Sequence, residues 1–498
     1  MFLELDGHGP NYAQLTRAIK AAVINGRLAS GERLPPTRAL AQELGLSRIT
    51  VLAAYEQLRA DGFITGRVGS GSYVSALQLT PALAPPESTV PPPSRYAKRC
   101  REVHDRMIPM LHSGLRYNLQ YGNPVTNPAL NTAWGRELAR ASAYTPLRGV
   151  GTQGLEALRQ QVCDYLARRR GIKVFPENVL IINGTQQAYT LTTRVLIDEG
   201  DAVVLEEPNY FAAYQALVAH GADIHAVRTD HDGIVCEELP EIAPRLVCVT
   251  PSHQFPSGVV MSLPRRLELL RYAASKQCWI LEDDYDGEFR YDGHPLAALR
   301  SLDDGDRVIY VGTFTKALFG SLRLGYMLVP AALRQDFIVA KYYNDISSSG
   351  IEQTALAHFM REGGFERHLR LTRKELQTRR EALVESLHQY VGDRVDLVDT
   401  PAGMHVVVWL RNYDYALTDA LIELARERGL GLHPMAPHYL KRPTCPGLIL
   451  GYCALSPNEL REAMKLFGEC LDEIDAKARG HFTPNSGVFR PSSKVRIG

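Results

Sequence analysis

Residues 278–316 read CWILEDDYDGEFRYDGHPLAALRSLDDGDRVIYVGTFTK. Two short apolar runs, CWIL and RVIYVG, are each followed at once by polar residues, EDDY and TFTK. Short runs rich in β-branched residues read as buried strands, and polar residues just beyond them lie where α/β sheets bind ligands. Working outward, VLIING (179–184), AVVLEEP (202–208) and LVCVTP (246–251) repeat the pattern. Helical spacing fills the gaps, in GTQQAYTLTTRVLIDEG (184–200) and SLPRRLELLRYAASKQ (262–277). The alternation predicts an α/β fold with a mostly parallel sheet covered by helices on both faces. From about Gly350 the pattern becomes a smaller α/β lobe with a long helix, Phe365–Gln389, and 481–498 reads as a mobile tail without core pattern.

Toward the N-terminus the composition shifts sharply. The stretch ALQLTPALAPPESTVPPPSRYAKRC (76–100) holds six prolines, which favour an extended, semi-rigid spacer. The chain therefore divides into 1–75, a linker over 76–114, a large domain over 115–480 and the tail. In the first part, Leu15, Ala18, Ile19, Ala22 and Val23 mark one face of a helix over Tyr12–Asn25. Thr37 caps a short helix ending at Gly45, and Ser47 caps a longer one reaching about Asp61. FITGRVGSGSYV then reads as two strands around a glycine-rich tip. A recognition helix beginning Ser47-Arg48-Ile49-Thr50 would set its polar side chains in the major groove. Arg38 stands where it can meet a phosphate, and Gly69 to Gly71 let backbone amides approach DNA. The balance here is eight Arg or Lys against six Asp or Glu, and a small protein-interaction domain would show the same pattern.

The chain is 45% hydrophobic and 22% charged with a formal net charge of +1, which excludes whole-chain nucleic-acid binding and makes any DNA contact local. The opening MFLELDGHGP lacks a basic stretch followed by an apolar one, and no eighteen apolar residues run together, so neither export nor a membrane span is expected and the cytoplasm is the default. Eight scattered cysteines show no metal-binding spacing.

Pyridoxal phosphate requires a lysine, an acid for its ring nitrogen, donors for its phosphate and a flat neighbour. Lys316, after the hydroxyls Thr313 and Thr315 and before Arg323, suits a phosphate-bearing aldehyde; a solvated strand-end lysine would look the same. Glu282-Asp283-Asp284 is costly after an apolar strand unless partnered by a pyridinium, a metal or a salt bridge. Gly184, Thr185 and Gln186 open a helix after a strand, a phosphate-binding arrangement. Tyr210 could stack on the ring or pack in the core.

The order of these blocks, NGTQQ, EEPNY, TPSHQFPSG, EDDYDGEFRY and GTFTK…RLGY, resembles fold-type I aminotransferases, and Gly26–Val74 is similar to the winged helix-turn-helix of GntR regulators. Together they resemble the MocR subfamily of GntR-type regulators. The resemblance implies a Schiff base on Lys316, Asp283 on the ring nitrogen and Tyr285 on the ring hydroxyl. Gly184, Thr185, Gln186, Thr313, Thr315 and Arg323 would hold the phosphate, and Tyr210 would stack. Tyr144 would reach the phosphate of a neighbouring subunit, implying a homodimer. For DNA it implies contact by Arg38, Ser47, Arg48 and Thr50, with the wing at Gly69–Gly71 in the minor groove.

Two positions depart from the pattern. Phe255 stands where fold-type I enzymes carry an asparagine, leaving the ring contact to Tyr285 alone, or to His253 or Gln254. Ile449 replaces the arginine that pairs with substrate carboxylate, unless Arg442 or His405 supplies the charge. The expected function is a pyridoxal-phosphate-dependent DNA-binding regulator, sensing the cofactor itself and so vitamin B6. An amino acid or amine effector, a working aminotransferase, or a cofactor serving only as a structural prop are the alternatives.

Overall fold

A computed structural model describes residues 3–67, 71–76, 91–104, 114–125, 127–144, 149–293 and 296–480. The chain divides into two compact units at Pro92/Pro93.

In the first unit, α1 (Asn11–Ile24), α2 (Thr37–Leu44) and α3 (Arg48–Ala60) precede an antiparallel hairpin of β1 (Ile64–Arg67) and β2 (Gly71–Val74). Leu15, Ile19, Leu40, Val51, Leu58, Ile64 and Val74 form its core, each burial stabilising by roughly 1.5–3 kcal/mol. Gly45 ends α2 in the left-handed region at φ 66°, which a Cβ disfavours. One cap differs from expectation. Thr37 is the first helical residue and makes no side-chain cap, because the capping position falls to Pro36, whose side chain carries no acceptor.

The second unit begins with α4 (Arg95–His104), inside the stretch read as spacer. All six prolines precede residue 94, and Tyr96, Cys100 and Val103 then recur at helical spacing. α4 lies on α8 (Phe211–His220): Val103 is buried, and the Arg99 Nε donates to the Ala219 carbonyl at 2.9 Å. The linker as predicted therefore ran too far. Residues 77–90 and 105–113, like the expected mobile tail at 481–498, lie outside the described residues.

Next come β3 (Tyr117–Asn118), α5 (Pro128–Tyr144) and α6 (Glu156–Arg169), then β4 (Val179–Ile182), α7 (Thr185–Leu196), β5 (Ala202–Glu207), α8, β6 (Asp223–Asp230) and β7 (Gly233–Ile234). They are followed by β8 (Leu246–Val249), α9 (Leu263–Lys276), β9 (Trp279–Asp284), β10 (Val308–Thr313) and β11 (Gly325–Leu328). Eight strands form one sheet in the order β4-β11-β10-β9-β8-β5-β6-β7. β6, β5, β8, β9 and β10 are parallel neighbours, while β11 runs antiparallel to both β10 and β4. Alternation along the strands feeds two layers. Leu180, Leu205, Leu281 and Ile309 join one core with Leu191 and Leu217, whereas Val204, Val247, Ile280 and Val308 join another with Leu269.

The remaining chain adds α10 (Arg334–Asp345), α11 (Gly350–Arg361) and α12 (Gly364–Ser386), the long predicted helix, which passes into a π-helical turn at Leu387–Val391. A second sheet pairs β12 (Val395–Val398), β13 (His405–Leu410), β16 (Gly447–Gly451) and β15 (His433–Pro434), with β14 (Leu430–Gly431) parallel to β3. α13 (Tyr415–Glu427) and α14 (Pro457–Gly480) cover this lobe. Among the described residues no helix is long and apolar enough to cross a membrane.

Candidate functional site

The three acids ending β9 have three different environments. Glu282 accepts the backbone amides of Leu299 and Arg300 at 2.8 and 2.7 Å, and burial pushes its carboxyl up to about 7. Asp284 is in a buried ion pair with Arg170 at 2.6 Å and accepts the Tyr310 hydroxyl. Asp283 alone of the three faces a cavity of about 500 Å³ at the carboxyl edge of the sheet. Its Oδ2 accepts from Tyr189 at 3.1 Å, its Oδ1 is buried without a partner, and burial pushes it up to about 7. A buried orphan oxygen is costly, and a cationic ring N–H is the kind of group that would satisfy it.

Lys316 enters the same cavity from the turn after β10. Its Nζ donates to the carbonyl of Gly122, and burial holds its pKa below the ordinary lysine value despite the opposing charges of Asp286 and Asp283. A lowered lysine is more often the neutral amine that can attack a carbonyl. At the other end, Thr185 and Gln186 start α7, whose first turn presents free amides. Gly184 at φ 82° brings the backbone against Arg323, where a Cβ would stand 3.0 Å from the guanidinium. Thr313 Oγ1 accepts the Thr315 amide at 3.1 Å, and the buried Thr315 Oγ1 has no partner. These orphaned oxygens and free amides fit a phosphate and a pyridinium, so the donor set suits pyridoxal phosphate. Tyr210 and Tyr285 complete the walls.

The departures resolve structurally. Phe255 lines the cavity, with ring centroids 5.6 Å from Tyr210 and 5.7 Å from Tyr285. Gln254 turns beneath the loop, where its amide donates to Glu206 and to the Pro208 carbonyl. His253 sits behind Tyr285 and not on the cavity wall. Ile449 is fully buried between Val407 and His433 in the second sheet. Arg442 stacks on Tyr415 at 3.6 Å, and His405, though on the wall, is held down to about 4 by burial and is therefore neutral. Neither supplies the missing charge. Lys316 and Arg323 are the cationic side chains among the described lining residues.

No sequence pattern marks Tyr121 and Gly122, which line the cavity from the segment following β3. Thr250, Gly320 and Met404 were also missed.

On the first unit, Ser47 caps α3 by accepting the Thr50 amide at 3.1 Å. Arg38, Ser47, Arg48 and Gly71 are exposed and Thr50 is half-buried; Ile49, 79% exposed beside Arg48, was not anticipated. Gly69 lies outside the described residues, and Tyr144 is described only as the last residue of α5.

Residues 118–465 match the family of class I and II aminotransferases, and residues 11–74 match the gntR family of bacterial regulatory proteins. The chain is 34% identical over 477 residues to the probable rhizopine catabolism regulatory protein MocR of Rhizobium meliloti, covering 93% of this chain and 94% of that protein. It is 28% identical to the pyridoxine biosynthesis transcriptional regulator PdxR of Corynebacterium glutamicum, covering 92% and 96%. A kynurenine aminotransferase of Pyrococcus horikoshii, solved in complex with PMP, superposes with a TM-score of 0.67 at 27% identity, covering 77% of this chain and 95% of that one. With both matches spanning their parts and a relative aligned nearly end to end, the chain belongs to the MocR subfamily of GntR-type transcriptional regulators, DNA-binding proteins that join a winged helix-turn-helix to a pyridoxal-phosphate-dependent aminotransferase domain.

Proposed function

We propose that this regulator reads pyridoxal phosphate itself and so controls vitamin B6 metabolism. The observation that carries this reading is the cavity's charge. No described lining residue offers a cation beyond Lys316 and Arg323, both required for the cofactor, so a second ligand bearing a carboxylate has no partner. The pyridoxine biosynthesis regulator among its relatives supports the same direction.

In this reading Lys316 holds the cofactor covalently, Asp283 keeps the ring nitrogen protonated and Tyr285 meets the ring hydroxyl. Gly184, Thr185, Gln186, Thr313, Thr315 and Arg323 bind the phosphate, and Tyr210 lies against the ring. Bound there, pyridoxal phosphate supplies an electrophilic carbonyl carbon and an electron-withdrawing ring. The protein works as a homodimer in the cytoplasm, Tyr144 reaching the partner's cofactor phosphate, and carries out no sustained transamination. Arg38, Ser47, Arg48, Thr50, Gly69 and Gly71 contact an operator in double-stranded DNA.

The test is the affinity of the full chain for DNA fragments selected from a random pool, measured with the cofactor bound and removed. A change of tenfold or more on adding pyridoxal phosphate alone is expected. Equal affinities, or a change seen only on adding an amino acid, would overturn the reading.

A further inference from the structure

Behind the cavity wall, three segments meet at one imidazole. His253 comes from the loop after β8, Asp286 from the loop after β9, and Gly403 from the turn entering β13. His253 is 3% exposed and Asp286 2%. The His253 Nδ1 lies 2.9 Å from the Asp286 Oδ2 and 2.9 Å from the Tyr285 hydroxyl oxygen. A Cβ at Gly403 would overlap the ring, and its φ of 79° is one that side chains disfavour. Space has therefore been left for this histidine.

The geometry fixes a proton. A carboxylate only accepts hydrogen bonds, so the nitrogen facing Asp286 is the one that carries hydrogen. The Tyr285 oxygen, at the same distance from that nitrogen, is then an acceptor of the same N–H. Its own proton is left to give away, to Asp286 or to an acceptor oxygen of a bound ring. Burial together with Asp286 and Asp283 keeps Tyr285 a phenol, holding its pKa well above the ordinary value. The other titratable groups that interact with these residues are Glu206, Tyr291, Lys316, His405 and Cys453.

We propose that His253 and Asp286 are positioning residues for the cofactor ring, forcing Tyr285 to act as a hydrogen-bond donor toward the ring oxygen. The proposal rests on the reading that pyridoxal phosphate occupies this cavity. Asp286 has a second effect, since its charge favours the cationic form of the nitrogen of Lys316.

Two variants should therefore move the same quantity in opposite directions. The measurement is the pH midpoint of the visible absorption of the cofactor-loaded full chain, with cofactor dissociation constants and thermal melts alongside. Asp286→Asn should lower the midpoint by about one pH unit, through loss of a nearby negative charge. His253→Phe should raise it, because Tyr285 turns its proton to Asp286 and the ring oxygen loses a donor. His253→Asn, which keeps an N–H donor, should restore most of the wild-type value. Tyr285→Phe should match His253→Phe, and the double variant should add nothing further. Wild-type midpoints in both Asp286→Asn and His253→Phe, or additive effects of His253→Phe and Tyr285→Phe, would overturn the proposal. A wild-type chain that takes up no pyridoxal phosphate would instead overturn the reading of the cavity, and this inference with it.

Discussion

Lys316 and Gly122, 194 residues apart in the chain, are joined by a hydrogen bond from the lysine Nζ to the glycine carbonyl. The bond ties the centre of the large sheet to a segment anchored elsewhere: the Leu119 amide donates to the Gly431 carbonyl, and the Gly451 amide to the Leu119 carbonyl. A lysine committed to a cofactor gives up its free amine, so loading the site should loosen this segment. Hydrogen exchange at residues 121–123 is expected to quicken on adding pyridoxal phosphate. Lys316→Ala should show that faster exchange without cofactor and form no visible absorption band with it.

The Asp283 carboxyl, at about 7 instead of 3.8, keeps in the folded chain a proton that the unfolded chain has already lost. Its contribution is therefore present at low pH and is lost as pH rises from about 4 to about 7. Glu206 and Glu282 act in the same sense, while His405 and His438, held near 4, act oppositely below 6.5. Those groups cancel in a comparison with Asp283→Asn. Between pH 5 and 7 the cofactor-free variant should lose stability less steeply than wild type, by up to about 1.4 kcal/mol per pH unit, read from urea unfolding at several pH values.

Arg170 is 4% exposed and is the buried cation that balances Asp284. Arg170→Met would leave that carboxylate uncompensated, a change that costs about 3–5 kcal/mol. Urea midpoints should fall accordingly. Adding Asp284→Asn should recover part of the loss, because the variant then buries no lone charge.

Ser47 and Arg48 are neighbours with separable tasks. Removing the cap in Ser47→Ala should cost about 1 kcal/mol of stability in the first unit. Arg48→Ala removes an exposed side chain and should leave the melting temperature unchanged while weakening DNA binding by about 1–3 kcal/mol. Melts and binding isotherms on the same preparations separate the two.

Much of the large sheet was legible because its strands are buried on both faces and read as unbroken apolar runs, and because each releases its polar residues at one edge. That edge pattern marked the blocks Glu282–Tyr285 and Thr313–Lys316, within which the resemblance to aminotransferases singled out Asp283, Tyr285 and Lys316; all three and Thr313 line the cavity. The wall residues Tyr121 and Gly122 were not marked, since they reach the cavity through the short pairing of β3 with β14, which leaves no periodic trace. The loop after β8 was ambiguous among three residues. Its threading is decided by Glu206, whose carboxylate draws Gln254 and Thr250 inward and leaves Phe255 on the wall. α4 was hidden by composition: the proline count of 76–100 outweighed a stripe of only three apolar positions.

That helix matters to anyone dividing the protein. A fragment begun at residue 115, where the domain reading placed the boundary, discards Val103 and the Arg99 contacts to Ala219 and His220. It would leave bare the apolar ground between Val103 and Leu217 that α4 now roofs. Cutting at Pro92/Pro93 keeps that roof, so the place of the scissors decides whether a fragment handles as a folded protein or as a sticky one.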